Sequence, residues 1–170
     1  MRQNTTNGAP TPRALLPPFP DPGFVREAIK SDLQHVAAMR VAFIQQVKSL
    51  TASERAELLD AQMHMFREGM ESGAILIWVY QVGGEIVGST GLLFRESAEP
   101  ATRAELMAVY TRRAYRHRGI ATALVSAALA YAKGLGLDTV MLQPTNESFD
   151  LYRKLGFTGN YSEMILQLKL

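Results

Sequence analysis

The sequence predicts an α+β domain, a mixed sheet with helices on its faces. Three observations lead there. Apolar residues recur at helical spacing in two early stretches, 33–44 and 56–70. Three apolar, β-branched runs follow at 74–82, 85–95 and 104–111, with no helical period between them. Behind them, helix-like and strand-like segments alternate to the last residue.

The elements follow in order. Residues 1–22 hold six of the eight prolines and few apolar side chains, so they are expected to form a disordered, proline-rich extension, with the domain running from 23 to 170. Residues 24–28 read as a first strand. Ser31 reads as an N-cap, and Leu33, Val36, Ala37, Val41 and Ile44 follow on one helix face. Thr51-x-x-Glu54 is a capping-box pattern ahead of a second helix carrying Ala56, Leu59, Met63, Phe66 and Met70, which Gly73 ends. Gly83-Gly84 sits between two strands where a two-residue hairpin turn belongs. Glu99-Pro100-Ala101 reads as a loop before the strand 104–111. A basic turn comes next, and then a helix in which Leu124, Val125, Ala128, Leu129 and Tyr131 or Ala132 recur, closed by Gly134 or Gly136. Residues 140–142 are a buried strand. Residues 149–155 are a short helix with Ser148 as its N-cap. Phe157 opens a strand, Gly159-Asn160 turns it, and Met164, Leu166, Leu168 and Leu170 alternate on the last one.

Composition narrows the function. The 170 residues, 47% hydrophobic and 20% charged, suit one folded domain with a sizeable core. A net charge of +2 is too mild for a dedicated nucleic-acid binder, and no nucleic-acid partner is expected. The arginines at 103, 112, 113, 116 and 118 fall in one interval opposed only by Glu105, which suits a local anionic ligand better than a long polyanion. The absence of cysteine excludes disulfides, thiolate catalysis and cysteine metal sites, and no metal is expected. No apolar run is long enough to span a bilayer, and the N-terminus lacks a signal-peptide core. The expectation is a cytoplasmic protein with no membrane partner. His35 and His64 sit on helices with no readable partner and are left out of the chemistry.

The stretch Arg116-His117-Arg118-Gly119-Ile120-Ala121 joins a strand to a helix. Its backbone N–H groups and the helix dipole make a seat for phosphate. No proline removes a donor there, and Gly119 lets a phosphate approach the backbone closely. A solvated basic loop before an ordinary helix is the alternative.

Arg116-x-x-Gly119-x-Ala121 resembles the acyl-CoA pyrophosphate loop of the GCN5-related N-acetyltransferase (GNAT) family. That pattern is Arg or Gln, two residues, Gly, one residue, then Gly or Ala. A second block, Leu142-Gln143-Pro144-Thr145 through Leu151-Tyr152-Arg153-Lys154-Leu155-Gly156-Phe157, resembles the family's later motif of a strand, a short helix with Leu-Tyr, and Leu-Gly-Phe. The resemblance is specific over 103–157. It implies a GNAT-type mixed, mostly antiparallel sheet with helices on both faces and splayed central strands. It also implies acetyl-CoA as cofactor and transfer of its acetyl group to a primary amine of a small molecule or peptide, by direct attack in a ternary complex. A non-catalytic acyl-CoA sensor is the alternative.

The same resemblance implies roles. Arg116, His117, Arg118, Gly119, Ile120 and Ala121 would hold the pyrophosphate. Val109, Tyr110 and Thr111 lie on the strand whose backbone would pair with pantetheine, and an N–H near Val109 would polarise the thioester carbonyl. Tyr152 matches the family tyrosine that gives a proton to the thiolate; its ordinary pKa of ~10 keeps it protonated at neutral pH. Asn146 would meet the pantetheine arm, with Thr145 or Ser148 as alternatives, because this block is one residue shorter than in members with Asn seven before the Tyr. Glu105 is a candidate general base, directly or through water, and a salt-bridged or strand-edge Glu is the alternative. Where family members often carry proline, this chain has Arg113. The acceptor pocket would draw on Arg40, Gln45, Gln46, Asp60, Gln62, Glu68, Glu71, Trp78, Tyr161 and Glu163. Analogy also implies a possible homodimer through the final strand.

Overall fold

The computed structural model describes residues 22–94 and 103–169. The expected proline-rich extension up to Asp21, the 99–101 loop and Leu170 lie outside the described residues.

Strand β1 (Phe24–Glu27) leads through a 3₁₀ turn, Lys30–Asp32, into helix α1 (Leu33–Gln45). Ser31 is not the cap here. The buried Asp32 carboxylate accepts the Ile29 N–H at 2.8 Å and both terminal nitrogens of Arg26 at 2.6 and 3.0 Å. A carboxylate can receive a guanidinium fork and a backbone donor together, which one hydroxyl cannot. This knot ties β1 to α1. The Arg26 guanidinium, helped by the Ile29 N–H, holds the Asp32 carboxyl below its ordinary value. A depressed folded pKa means the contribution is complete above the unfolded value of ~3.9 and is lost as pH falls through the folded one. Asp32→Asn should therefore cost about 1.5–3 kcal/mol at neutral pH. It should also flatten the acid side of stability plotted against pH, measured by urea unfolding.

Helix α2 (Ala52–Ser72) begins at the expected capping box: Glu54 N–H donates to Thr51 Oγ1 at 3.2 Å and Thr51 N–H to Glu54 Oε2 at 2.8 Å. Gly73, at φ 77°, ends it. Strands β2 (Ile75–Val82) and β3 (Glu85–Phe94) form a hairpin through Gly83 and Gly84, both at positive φ as a tight two-residue turn requires. Then come β4 (Arg103–Thr111), α3 (Ile120–Gly134), β5 (Thr139–Leu142), α4 (Phe149–Lys154), β6 (Thr158–Gly159) and β7 (Met164–Gln167). The element order expected from the sequence is met, with ends shifted by one to three residues.

The seven strands form one sheet in the order β1-β2-β3-β4-β5-β7-β6. Every neighbouring pair is antiparallel except β4 and β5. Strand period two splits the core between the faces. Ile75, Ile77 and Val79 of β2 meet Val36, Ala37 and Phe66 beneath α1 and α2. Trp78 and Val82 point the other way and join Leu124, Val125 and Ala128 of α3. Trp78 is thus not part of an acceptor pocket: it is buried with its ring edge-on to Tyr131, centroids 5.4 Å apart. Among the described residues no helix is long and apolar enough to cross a membrane.

The sheet is parted at its centre. β4 pairs with β5 only at Arg103, Ala104 and Glu105, while its pairing with β3 continues to Thr111. Beyond Glu105 the two parallel strands diverge, and the β4 edge facing β5 has no strand partner.

Candidate active site

A cleft of about 660 Å³ opens where β4 and β5 diverge. Residues 105–111 of β4 line one side. Residues 142–145 with Ser148, Leu151 and Tyr152 line the other. The turn before α3 closes one end, and Arg40 and Phe43 of α1 reach the wall as well, with Gln46 just past the helix end.

The β4 side carries a bulge. Ser89 stands opposite Tyr110 and Gly91 opposite Met107, so Thr90 alone faces Ala108 and Val109. Ala108 adopts φ 52°, a left-handed conformation that costs a residue with a Cβ about 1–2 kcal/mol. The buried Ser89 hydroxyl offsets part of this by donating to the Ala108 carbonyl at 2.9 Å. Bulges re-aim backbone groups that a regular ladder would consume. This one sits on the open edge of the parted sheet.

At the end of the cleft, two left-handed residues shape the turn: His117 at φ 61° and Gly119 at φ 80°. Arg116 folds back over β4, donating from Nε to the Thr111 carbonyl at 3.0 Å and lying 5.5 Å above the Tyr110 ring. It clasps the turn to the strand and leaves its charge at the cleft. The first hydrogen bond of α3 runs from Ala123 N–H to the Gly119 carbonyl at 3.0 Å. The N–H groups of Ile120, Ala121 and Thr122 therefore lack intrahelical acceptors. No side chain caps this end and no acidic residue stands in its first turn. The positive end of the helix dipole is thus uncovered, a physical setting that suits an anion.

Across the cleft, Tyr152 is 5% exposed and its ring lies edge-on to Phe157, centroids 5.7 Å apart. Among the described residues its hydroxyl has no hydrogen-bond partner, and burial pushes the phenol well above its ordinary pKa. Ser148 occupies the N-cap position of α4 but bonds backward. Its Oγ accepts the Thr145 N–H at 2.9 Å, and its own N–H donates to Thr145 Oγ1 at 3.2 Å. That reciprocal pair fixes the approach of α4, and hence of Tyr152.

Most of the residues singled out in the sequence converge here: Glu105, Val109, Tyr110, Thr111, Arg116, His117, Gly119, Ile120, Ala121, Ser148 and Tyr152 all line the cleft. Arg118 and Asn146 do not. The chain turns through His117 and Gly119, and the half-buried residue between them falls outside the wall. Asn146 is exposed: the Thr145–Ser148 pair brings those two residues to the cleft, and Asn146 between them falls outside its wall. Of the residues expected near an acceptor, Arg40 and Gln46 line the cleft and the others do not. Glu71 pairs instead with Lys30 at 2.8 Å, and Tyr161 stacks on Phe149 at 4.3 Å. Phe43, Tyr115, Thr122 and Glu147 line the cleft without having been singled out for it. For Phe43 a signal existed, since Arg40, Phe43 and Gln46 are three apart and share a helix face.

The α+β fold that carries this parted sheet and uncapped helix end also occurs in known proteins. Residues 43–157 match the model of the Acetyltransferase (GNAT) family, and the chain belongs to that family. It is 27% identical over 121 residues to the "Probable N-acetyltransferase camello" of Xenopus tropicalis, a match covering 67% of this chain and 51% of that protein. The chain thus spans about half the length of this curated relative. A GCN5-related N-acetyltransferase from Ralstonia eutropha JMP134 superposes with TM-score 0.71 at 23% identity, covering 82% of this chain and 94% of that one. The yncA protein of Salmonella typhimurium, solved with its cofactor acetyl-CoA, superposes with TM-score 0.71 at 18% identity, covering 88% and 95%.

Proposed function

We propose that this chain is an acetyl-CoA-dependent N-acetyltransferase acting on a primary amine of a small molecule or peptide, by direct attack in a ternary complex. The observation that carries the reading is the meeting, in one cleft, of an unpaired β4 edge, an uncapped helix N-terminus and a buried tyrosine. The yncA complex supports the choice of cofactor.

Acetyl-CoA supplies the acetyl group on a thioester. The N–H groups of Gly119, Ile120 and Ala121 hold its pyrophosphate, with the charge of Arg116 beside them. The open edge at Val109, Tyr110 and Thr111 pairs with its amide-bearing arm as an added strand would. A backbone N–H near Val109, re-aimed by the Ala108 bulge, stabilises negative charge on the carbonyl oxygen during attack. Tyr152 donates its hydroxyl proton to the departing sulfur. Burial keeps the phenol protonated at neutral pH, so its proton is in place when the thiolate forms. Glu105 takes the proton released by the amine, directly or through water.

Isothermal titration with acetyl-CoA, followed by thiol release across a panel of amines, tests this. Binding and turnover are expected. No binding at millimolar acetyl-CoA would sink the reading, and binding with no turnover would leave an acyl-CoA sensor instead.

A further inference from the structure

Arg40 stands where the periodicity of α1 calls for an apolar residue. Leu33, Ala37, Arg40 and Ile44 follow at spacings of four, three and four, the stripe that faces the sheet. The arginine is half-buried at the cleft wall, with its Cζ 5.2 Å from the centre of the Phe43 ring. Among the described residues it meets no carboxylate; the nearby ion pairs are Arg26 with Asp32 and Lys30 with Glu71. Burial lowers its pKa, with no acid to oppose the shift. A cation withdrawn from water is normally paired, because desolvation is expensive without an opposing charge. Its position also matters. Val36, Ala37 and Met39, the residues around it on α1, pack in the same core cluster as Ala108, so this arginine stands on the bulge side of the cleft. The anion seat at the start of α3 is a separate feature of the same cleft.

We propose that Arg40 receives a carboxylate carried by the acceptor, which makes the substrate class a small amine bearing a carboxylate, such as an amino acid. This rests on the acetyl-transfer reading above. The guanidinium is a planar fork suited to bidentate contact with a carboxylate, and Phe43 beneath it holds the plane. Gln46, one helical step further, supplies an amide for a second polar group of the same molecule.

The experiment compares free amino acids with their α-amides, which differ only in that charge once amine protonation is corrected for. Glycine, leucine, phenylalanine, glutamate and lysine are each titrated as acid and as amide into the full chain saturated with CoA, by calorimetry. Thiol release with acetyl-CoA is followed in parallel. At least one acid is expected to bind on the order of 10²-fold more tightly than its amide. Arg40→Gln should erase that difference while acetyl-CoA affinity and melting temperature hold, and Arg40→Lys should restore part of it. Amides bound as tightly as acids in every pair would overturn the proposal. So would a preference that survives Arg40→Gln, or a loss confined to acetyl-CoA affinity, which would assign the arginine to the cofactor. Titration of acetyl-CoA into the same protein before CoA is added separates the failures. A cofactor that does not bind sinks the acetyl-transfer reading, and a cofactor that binds beside indifferent acids sinks only the role of Arg40.

Discussion

Gly119→Asp should reduce acetyl-CoA affinity by at least about 10²-fold. A carboxylate placed roughly 4 Å from a pyrophosphate charge, at the effective dielectric of a protein surface, opposes binding by about 4 kcal/mol. The sequence alone suggests that a clash adds to this. The structure removes that part as far as the protein is concerned, since a Cβ on Gly119 would meet nothing within 4 Å. What remains is charge, obstruction of the ligand itself, and the strain of a side chain at φ 80°. Asn accepts left-handed conformations well and carries no charge, so Gly119→Asn is the matched control. Calorimetry on both variants, with melting temperatures alongside, should show a large loss for Asp, a smaller one for Asn and similar folding for both. Equal affinity in Gly119→Asp and the parent chain would remove the α3 N-terminus from the phosphate site.

Tyr152→Phe should lower turnover by roughly 10²- to 10⁴-fold, the usual worth of a general acid. Stability and acetyl-CoA affinity should barely move. The ring and its edge-on contact with Phe157 survive the substitution, and the deleted hydroxyl satisfies no buried group among the described residues. The cofactor would be gripped by backbone elsewhere in the cleft. The pH dependence has a definite sign. An acid must be protonated to act, so its contribution holds below its pKa and is lost above it. Burial moves that loss upward from the ordinary ~10, so the alkaline limb of the rate profile should not report this tyrosine. Unchanged turnover in Tyr152→Phe, with chemistry shown to limit the rate, would take the residue out of the mechanism and leave the cofactor assignment standing.

Local signals carried much of this structure. Capping chemistry at Thr51 and Glu54, left-handed glycines at 73, 83 and 84, and apolar periodicity are properties of short windows, readable without the fold. The turn before α3 was readable because a seat made of backbone N–H groups needs only its glycine and spacing specified. The features that escaped belong to pairs of elements. The bulge at Ala108 arises from the register of β3 against β4, and an alanine carries no local mark of it. Trp78 lies in a run that is apolar on both faces, so nothing in the run tells which face α3 covers. Arg40 was expected near an acceptor, but that it sits half-buried with no carboxylate beside it among the described residues shows only once α1 is laid against the opened edge. Ser31 looked the better cap because hydroxyls are good caps. Here no side chain caps α1, and Arg26, brought in from β1, takes the neighbouring Asp32 carboxylate instead.

The parting of β4 from β5 has a bearing on self-association. An unpaired strand edge normally sits at the border of a sheet, where a second polypeptide can add to it and aggregation can begin. Here the bare edge lies inside the sheet, and α1 and α3 both pack against β4. An invading peptide would have to displace those helices to lay down its side chains on the two faces. A slender, unbranched chain with amide groups makes no such demand. The same opening that can receive a linear cofactor is thereby closed to copies of the protein, so this fold keeps a sticky edge without the usual hazard of exposing one.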